Sequence, residues 1–462
     1  MDYEEKSPRV MKKLRAGYPR FVVPELCANF FAEALEKYGR PGELCHAYPS
    51  EAGAKRCAGL IRTWSGHEAR VKLWTQHNVA LVFFPEEAEV AALKYWRHSG
   101  DGISSRQAAF ILSGNKQRPD ADAARRSIKE RISHIAGVSP DNVFLFKSGM
   151  AAIYTLHRML MRMKPDSACA QFGFPYVDTL KIQQDFGFRS IFFPLGNTAD
   201  LRALDRMMTI DEVGGILCEF PSNPLLHSPD LHALSRLSRR HEVPLVVDDT
   251  VSGWANVNVL AAADVVVTSL TKFFTGAGDV MGGAVILNPQ SPIIGGMHKA
   301  FRGEYEDTTW PETLVIMEQQ SRDYLERMQR INKTTEAVCA WLERRKEIDQ
   351  LYYPASLDRE VYDSFKKPGG GYGGLFSIVL KDAERATPLF YDNLEFSKGP
   401  NLGTSFSLCC PFTLLAHYHE LDWAEQCGVS RYLLRFSIGL EDAAELIARL
   451  ERAFKAVKRS GD

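Results

Sequence analysis

From residue 143 the chain alternates near-continuous apolar runs with amphipathic helical stretches, and few folds accept that pattern. VFLFKSG leads into the helical MAAIYTLHRMLMRM. ACAQFGFP, SIFFPLG and GGILCEFPSNP follow, then the helical DLHALSRLSRRHE and the runs VPLVVDDT and DVVVTSL. A strand apolar on both faces must be covered on both, and helices between such strands are the crossovers that parallel pairing requires. The pattern predicts an α/β fold with a mostly parallel sheet over residues 106–288. Residues 1–105 read as an α/β N-terminal extension, with a helical PELCANFFAEALEKYG and strand-like runs ARVKLWT and VALVFFP. Residues 289–462 read as a smaller C-terminal α/β domain. Its long helical zone, LVIMEQQSRDYLERMQRINKTTEAVCAWLERRK, precedes strands GLFSIVLKD, FSLCC and YLLRFSIGLE and a closing helix, DAAELIARLERAFKAVK. The glycines of PGGGYGGLF read as a turn before a strand.

With 462 residues, 45% of them hydrophobic, the chain can bury sizeable cores. A net charge of −1 argues against nucleic-acid or membrane-surface binding by bulk electrostatics. No apolar run approaches the roughly 20 residues that span a bilayer, and the first residues lack the apolar segment of a secretory signal. The nine cysteines are scattered without a C-x-x-C pair, which suggests neither a zinc cage nor a disulfide framework. A reducing, cytoplasmic setting is expected.

The chemistry concentrates around Ser-Leu-Thr-Lys, residues 269–272, in VVVTSLTKFFTGAGDVMGG. A lysine behind two hydroxyl residues at the end of a buried strand suits a Schiff base better than a surface. Upstream, Asp248 closes the buried run of LVVDDT. Two adjacent acids there are costly unless one meets a cation. A protonated pyridine nitrogen is such a cation, so Lys272 and Asp248 together point to pyridoxal 5'-phosphate (PLP). Asp249 reads as a helix cap or turn residue. In KSGMAA, residues 147–152, a strand turns into a helix whose first N–H groups form an anion site, placing the cofactor phosphate on Gly149 and Met150. The hydroxyls of Ser269 and Thr271 complete the cup. Tyr176 in FPYVDT is either a stacking partner for the ring or a core tyrosine. Asn223 in EFPSNPLL either reaches the cofactor's phenolic oxygen or forms a turn before proline. Arg435, alternating with apolar residues in YLLRFSIGLED, matches a substrate carboxylate or an internal salt bridge.

Together these segments resemble the Cys/Met-metabolism PLP enzymes, that is, cystathionine γ-synthases, cystathionine lyases and O-acylhomoserine sulfhydrylases. The likeness runs from about Tyr95 to the C-terminus: SGMAA, Y-x-x-T, E-x-P-x-N-P, VDDT, S-x-T-K with a trailing DVMGG, and LR-x-S-I-G-LED. The resemblance implies PLP-dependent transferase fold type I, with a large domain built on a seven-stranded-type sheet and a small C-terminal domain, assembled as a homodimer or homotetramer with shared active sites. It implies the Schiff base on Lys272, the pyridinium partner on Asp248 and ring stacking on Tyr176. Phosphate contacts fall on Gly149, Met150, Ser269 and Thr271, and the substrate carboxylate on Arg435 with Asn223 and Ser407 nearby. The family's Tyr-x-Arg pair, donated by the neighbouring subunit, falls on Tyr95 and Arg97 of YWRHSGDGISSR, where the usual Asn-Pro-Thr continuation is absent.

GYPRFVVP and YWRHSGDGISSR resemble the fungal branch of cystathionine γ-synthase-like proteins, some of which supply sulfur amino acids and others specialised metabolites. The implied reaction is γ-substitution on an O-acetyl- or O-succinyl-L-homoserine, through a vinylglycine ketimine, by a thiol or a carbon or amine nucleophile. The family motif SLGG-x-ES stands here as NLGTSFS, residues 401–407. Phe406 replaces a glutamate that borders the family's substrate pocket, which favours a less polar nucleophile. The rival readings are a γ- or β-lyase acting on cystathionine or methionine, and a non-catalytic scaffold relative.

Overall fold

The computed structural model describes residue 5 and residues 7–12, 23–115, 117–210 and 212–459. Of GYPRFVVP, residues 17–22 lie outside the described residues.

The central sheet has seven strands: β4 (Val143–Phe146), β5 (Ala168–Phe172), β6 (Arg189–Phe193), β7 (Val213–Glu219), β8 (Leu245–Asp248), β9 (Val265–Ser269) and β10 (Gly283–Leu287). Their order is β4-β10-β9-β8-β7-β5-β6. All pairings from β9 to β6 are parallel, while β10 runs antiparallel to both β4 and β9. The mostly parallel α/β sheet expected from the apolar runs is therefore present. Its central strands are buried along their length: every residue of β7 is buried, as are all of β5 and β10.

Ahead of it lies a three-stranded antiparallel sheet, in the order β1 (Glu43–Tyr48), β3 (Val79–Pro85), β2 (Arg70–Trp74). The runs read as strands are β2 and β3, and PELCANFFAEALEKYG forms the helix Glu25–Tyr38. Strand β1 and the helix Glu51–Ser65 were not legible. ELCHAY mixes Glu43 and His46 with apolar residues in no clean alternation, and the helix carries Gly53 and Gly59, both poor helix formers. Tertiary packing decides both. The helix Glu89–Ser99 then docks this sheet on two helices that flank the central one, Gly149–Met163 and Val177–Phe186, with Tyr95 edge-on to Tyr154 and Phe186.

His46 sits in an aromatic cage, with ring centroids 5.4 Å from Phe31, 5.0 Å from Phe84 and 5.4 Å from Trp96. Burial pushes its pKa down to about 3 from an ordinary 6.5. The folded ring thus stays neutral where the unfolded chain's ring takes up a proton. Stability from the neutral ring is fully present above pH 6.5 and is lost as pH falls below it. His157, buried and pushed down to about 4, acts in the same direction. Between pH 7 and 5 we expect the melting temperature to fall, each histidine contributing up to about 2 kcal/mol at pH 5. Thermal melts of His46→Phe should show a shallower slope; an unchanged slope would remove His46 as a cause.

The C-terminal sheet has the order β11 (Ile348–Tyr352), β12 (Leu375–Leu380), β15 (Leu434–Ser437), β14 (Leu408–Pro411), β13 (Ser397–Lys398). The helical zone before it is not continuous. It forms the helices Pro311–Gln320 and Tyr324–Leu342. The break follows from Arg131, which donates to the Glu318 carbonyl at 3.2 Å and the Ser321 hydroxyl at 2.6 Å. Arg322 N–H turns instead to the Gln319 carbonyl. All nine cysteines are buried and unpaired. Among the described residues no helix is long and apolar enough to cross a membrane.

Candidate active site

The parallel strands deliver their chemistry at their carboxyl ends, where α/β sheets bind ligands. Strand register sets Glu219 of β7 beside Asp248 of β8, and Asp248 beside Val267 of β9. Ser269 ends β9, and Lys272 follows one turn later. From the other side comes the start of the helix Gly149–Met163. Its cap, Ser148, accepts from the Ala151 N–H at 3.1 Å, leaving the first N–H groups directed outward. Gly149 is required there, because a Cβ would stand 2.9 Å from Ser269 Cβ. One cleft is lined by Lys272, Asp248, Ser269, Gly149 and Met150. Tyr176, Asn223 and Arg435 line it too. Sequence reasoning put all eight at one site, and the fold brings them together.

Lys272 is half-buried, and its Nζ donates to Asn401 Oδ1 at 2.8 Å. Its backbone is fixed from two directions. Gly403, at φ +75°, lies so close that a Cβ would stand 2.7 Å from the Lys272 carbonyl carbon. Arg327, 6% exposed, donates to the carbonyls of Phe273 and Phe274, each at 2.8 Å. Sequence reasoning missed Arg327, which carries no local signal, and gave no role to Asn401, although NLGTSFS had been singled out.

It also gave no role to Glu219, the first residue of E-x-P-x-N-P. Its carboxylate accepts from the backbone N–H of Tyr176 and, at 2.8 Å, from that of Asn223. Glu219 therefore fixes the placement of both. Burial first, and then the Asp248 charge, push the Glu219 carboxyl well above its ordinary range. Burial raises Asp248 as well, against bonds from Thr250, whose N–H reaches Asp248 Oδ1 at 2.9 Å. Two carboxylates so placed call for a cation in the cleft.

Arg435 is 4% exposed. Nη1 donates to Asn223 Oδ1 at 2.9 Å and Nη2 to the Pro400 carbonyl at 2.6 Å, with the guanidinium 5.0 Å over the Phe412 ring. No carboxylate among the described residues pairs with it, which sets aside the internal salt bridge.

Other candidates lie elsewhere. Thr271 does not line this cleft: its hydroxyl donates to the Gly282 carbonyl at 3.3 Å and accepts from the Gly282 N–H at 3.1 Å, as the turn after β9 requires. Ser407 is likewise engaged, its hydroxyl donating to Glu441 at 2.8 Å and accepting from Gly439 N–H at 3.0 Å. Phe406 is 45% exposed and is not among the residues that line this cleft. Tyr95 is fully buried in its own chain, its hydroxyl donating to Asp101 at 2.6 Å. Arg97 and Trp96 line the cleft of their own chain. The resemblance implies a pair reaching across subunits; within the chain the helix Glu89–Ser99 packs on the helices Gly149–Met163 and Val177–Phe186. Asp249 caps no helix but heads a turn, its carbonyl accepting from the Gly253 N–H at 2.6 Å; it is fully buried, bonded to the Thr268 hydroxyl, and burial lifts its pKa to about 8.

The donor set suits PLP. It offers an amine for the aldehyde, a carboxylate for the ring nitrogen, an aromatic side chain at the rim, and a glycine-cradled helix start with the Ser269 hydroxyl for a phosphate.

Comparison with known proteins agrees. Residues 118–455 match the model of the Cys/Met metabolism PLP-dependent enzyme family, and residues 26–104 match that of the fungal trans-sulfuration enzyme N-terminal domain. The chain is 34% identical to cystathionine gamma-synthase of Neurospora crassa, over 99% of this chain and 94% of that protein. It is 32% identical to the cystathionine gamma-synthase-like protein ankD of Aspergillus thermomutatus, over 96% and 88%. A solved structure of cystathionine gamma synthase from Xanthomonas oryzae pv. oryzae in complex with cystathionine shares the fold, with a TM-score of 0.64 and 23% identity over 75% of this chain and 90% of that one. With both models matched and the cleft built for its cofactor, the chain belongs to the Cys/Met metabolism PLP-dependent enzyme family, as a PLP-dependent enzyme of the γ-synthase type that carries the fungal N-terminal domain.

Proposed function

We propose that the protein catalyses γ-substitution on an O-acetyl- or O-succinyl-L-homoserine, joining Cγ to a thiol or to a carbon or amine nucleophile. The observation that carries this reading is Arg435, a buried guanidinium with no carboxylate partner among the described residues, opening on the same cleft as Lys272 and Asp248. An amino-acid carboxylate is the ligand it fits.

Bound PLP supplies an aldehyde that condenses with amines and a ring that stores the charge left when a carbon is deprotonated. The chain's residues do the rest. Arg435, with Asn223 beside it, holds the substrate carboxylate and so fixes which carbons face Lys272. Lys272, which Asn401 holds in the free cleft, would take the Cα proton, hand it on to the cofactor, and as a neutral amine again take one from Cβ. The acyloxy group leaves Cγ, the nucleophile adds there, and Lys272 returns the protons. Asp248 stays anionic against the ring nitrogen. Tyr176 would cover the ring, and Gly149, Met150 and Ser269 would receive the phosphate. The same reading divides the chain at residues 1–105, 106–288 and 289–462 and takes it to be a cytoplasmic homodimer or homotetramer.

The test offers O-acetyl- and O-succinylhomoserine with cysteine, sulfide or a β-keto acid and identifies products by mass. A γ-substituted amino acid supports the reading. Ammonia and a keto acid formed without a second substrate would instead make the protein a lyase. Arg435→Ala is expected to raise KM for the acylhomoserine on the order of ten- to a hundredfold, the worth of hydrogen bonds to a charged group, with a smaller effect on kcat. An unchanged KM would make Arg435 structural.

A further inference from the structure

Lys147 stands immediately before the Ser148–Gly149 helix start, and sequence reasoning gave it no role. It is 8% exposed, and its Nζ makes one hydrogen bond, to the Asp101 carbonyl at 3.3 Å. No carboxylate among the described residues pairs with it. The nearby Asp101 carboxylate is already engaged by Arg56 at 2.9 Å and by the Tyr95 hydroxyl at 2.6 Å. Burial pushes the Lys147 ammonium down to about 8. A buried lysine whose one nearby carboxylate is already shared with an arginine and a tyrosine is costly, and the cost is offset when an anion arrives.

Lys147 lines the cleft that holds Lys272, beside Ser148, Gly149 and Met150. Arg97 lines the same cleft, with no hydrogen bond or ion pair among the described residues. Two residues expected near a phosphate are withdrawn from it, Thr271 onto Gly282 and Tyr95 onto Asp101. That leaves a helix start, the Ser269 hydroxyl and two cations in one cleft, while Arg435 is committed next to Asn223.

We infer that Lys147 is a binding residue for the cofactor's phosphate, its ammonium supplying, with Arg97, the positive charge that the dianion meets at the start of the helix Gly149–Met163. This rests on the PLP site described above and assigns Lys147 to that site's phosphate end. Its carbonyl partner, Asp101, belongs to the segment that follows the N-terminal helix Glu89–Ser99, and Gly100 and Gly102 of that segment line the same cleft.

The test is titration of the apo protein with PLP and with pyridoxal, which lacks the phosphate, following the visible absorption of the lysine adduct. Lys147→Met keeps the buried stem and removes the charge; Lys147→Arg keeps the charge. For Lys147→Met we expect the dissociation constant of PLP to rise on the order of ten- to a hundredfold, that of pyridoxal to stay within about twofold, and the adduct spectrum at saturation to be unchanged. Lys147→Arg should recover most of the loss. Unchanged PLP affinity in Lys147→Met would overturn the inference, and so would equal weakening of PLP and pyridoxal, which would mark Lys147 as a support of the helix start. Loss of the adduct spectrum in the unaltered protein would refute the underlying site as well, and so is distinguishable from either.

Discussion

Lys272→Ala is expected to abolish both the visible absorption of a lysine–PLP adduct and all measurable turnover. The amine does two things that alanine cannot. It condenses with the aldehyde, and once released it moves protons at two neighbouring carbons. A positioned general base alone is worth about 10²–10⁴-fold, and the loss of both roles compounds. The fold should survive: Lys272 is half-buried, and the backbone around it is held by Arg327 and by Gly403, which the substitution leaves in place. Asn401 Oδ1 loses a partner. The checks are an absorption spectrum with PLP, a steady-state assay, and a melting curve to show an intact fold. Addition of small primary amines should restore a fraction of the turnover by replacing the missing base. Turnover within tenfold of the unaltered protein would sink the assignment.

Asp248→Asn should separate activity from stability in opposite directions. In the cofactor-free protein Asp248 and Glu219 are neighbouring carboxyls, both raised by burial, and Asp248's charge adds to the rise at Glu219. Asparagine keeps the shape, removes one charge and relieves that repulsion. The apo protein should melt higher. Turnover should fall by about 10²-fold or more, because a neutral amide cannot hold the ring nitrogen protonated and the ring then stores charge poorly. Such a trade is typical of sites that keep a costly group for function. Melting curves of apo protein and kcat for the acylhomoserine reaction read the two arms. A variant that is less stable, or active within tenfold, would show that Asp248 does not serve the ring.

The site residues were legible where chemistry and strand ends coincide. Asp248, Ser269 and Lys272 follow apolar runs that could only be central strands, so their place at the sheet's carboxyl edge followed from position alone. Direction was not legible: GAVIL reads the same parallel or antiparallel, and only the fold sets β10 against both β4 and β9. The fate of individual hydroxyls was not legible either. Ser269 and Thr271 flank the lysine in one tetrapeptide, yet the turn after β9 sends the first to the cleft and the second to the Gly282 backbone. The helix break near Ser321 depends on Arg131, distant in sequence, and periodicity carries no trace of such a partner. Glu219 and Lys147 were hidden for a similar reason. Each sits at the edge of an apolar run, where a charge looks like the end of a strand until burial shows it to be enclosed.

The loop from Asn401 to Ser407 carries a consequence for how such a chain diverges. One end grips the reactive lysine through Asn401 and Gly403, and the other is clamped to Glu441 through Ser407. Between them Phe406 turns its ring outward. Mutation can therefore sample that position over generations without passing through a crippled intermediate, since neither anchor depends on its side chain. The position can change while the reacting lysine keeps both its partner and its backbone support.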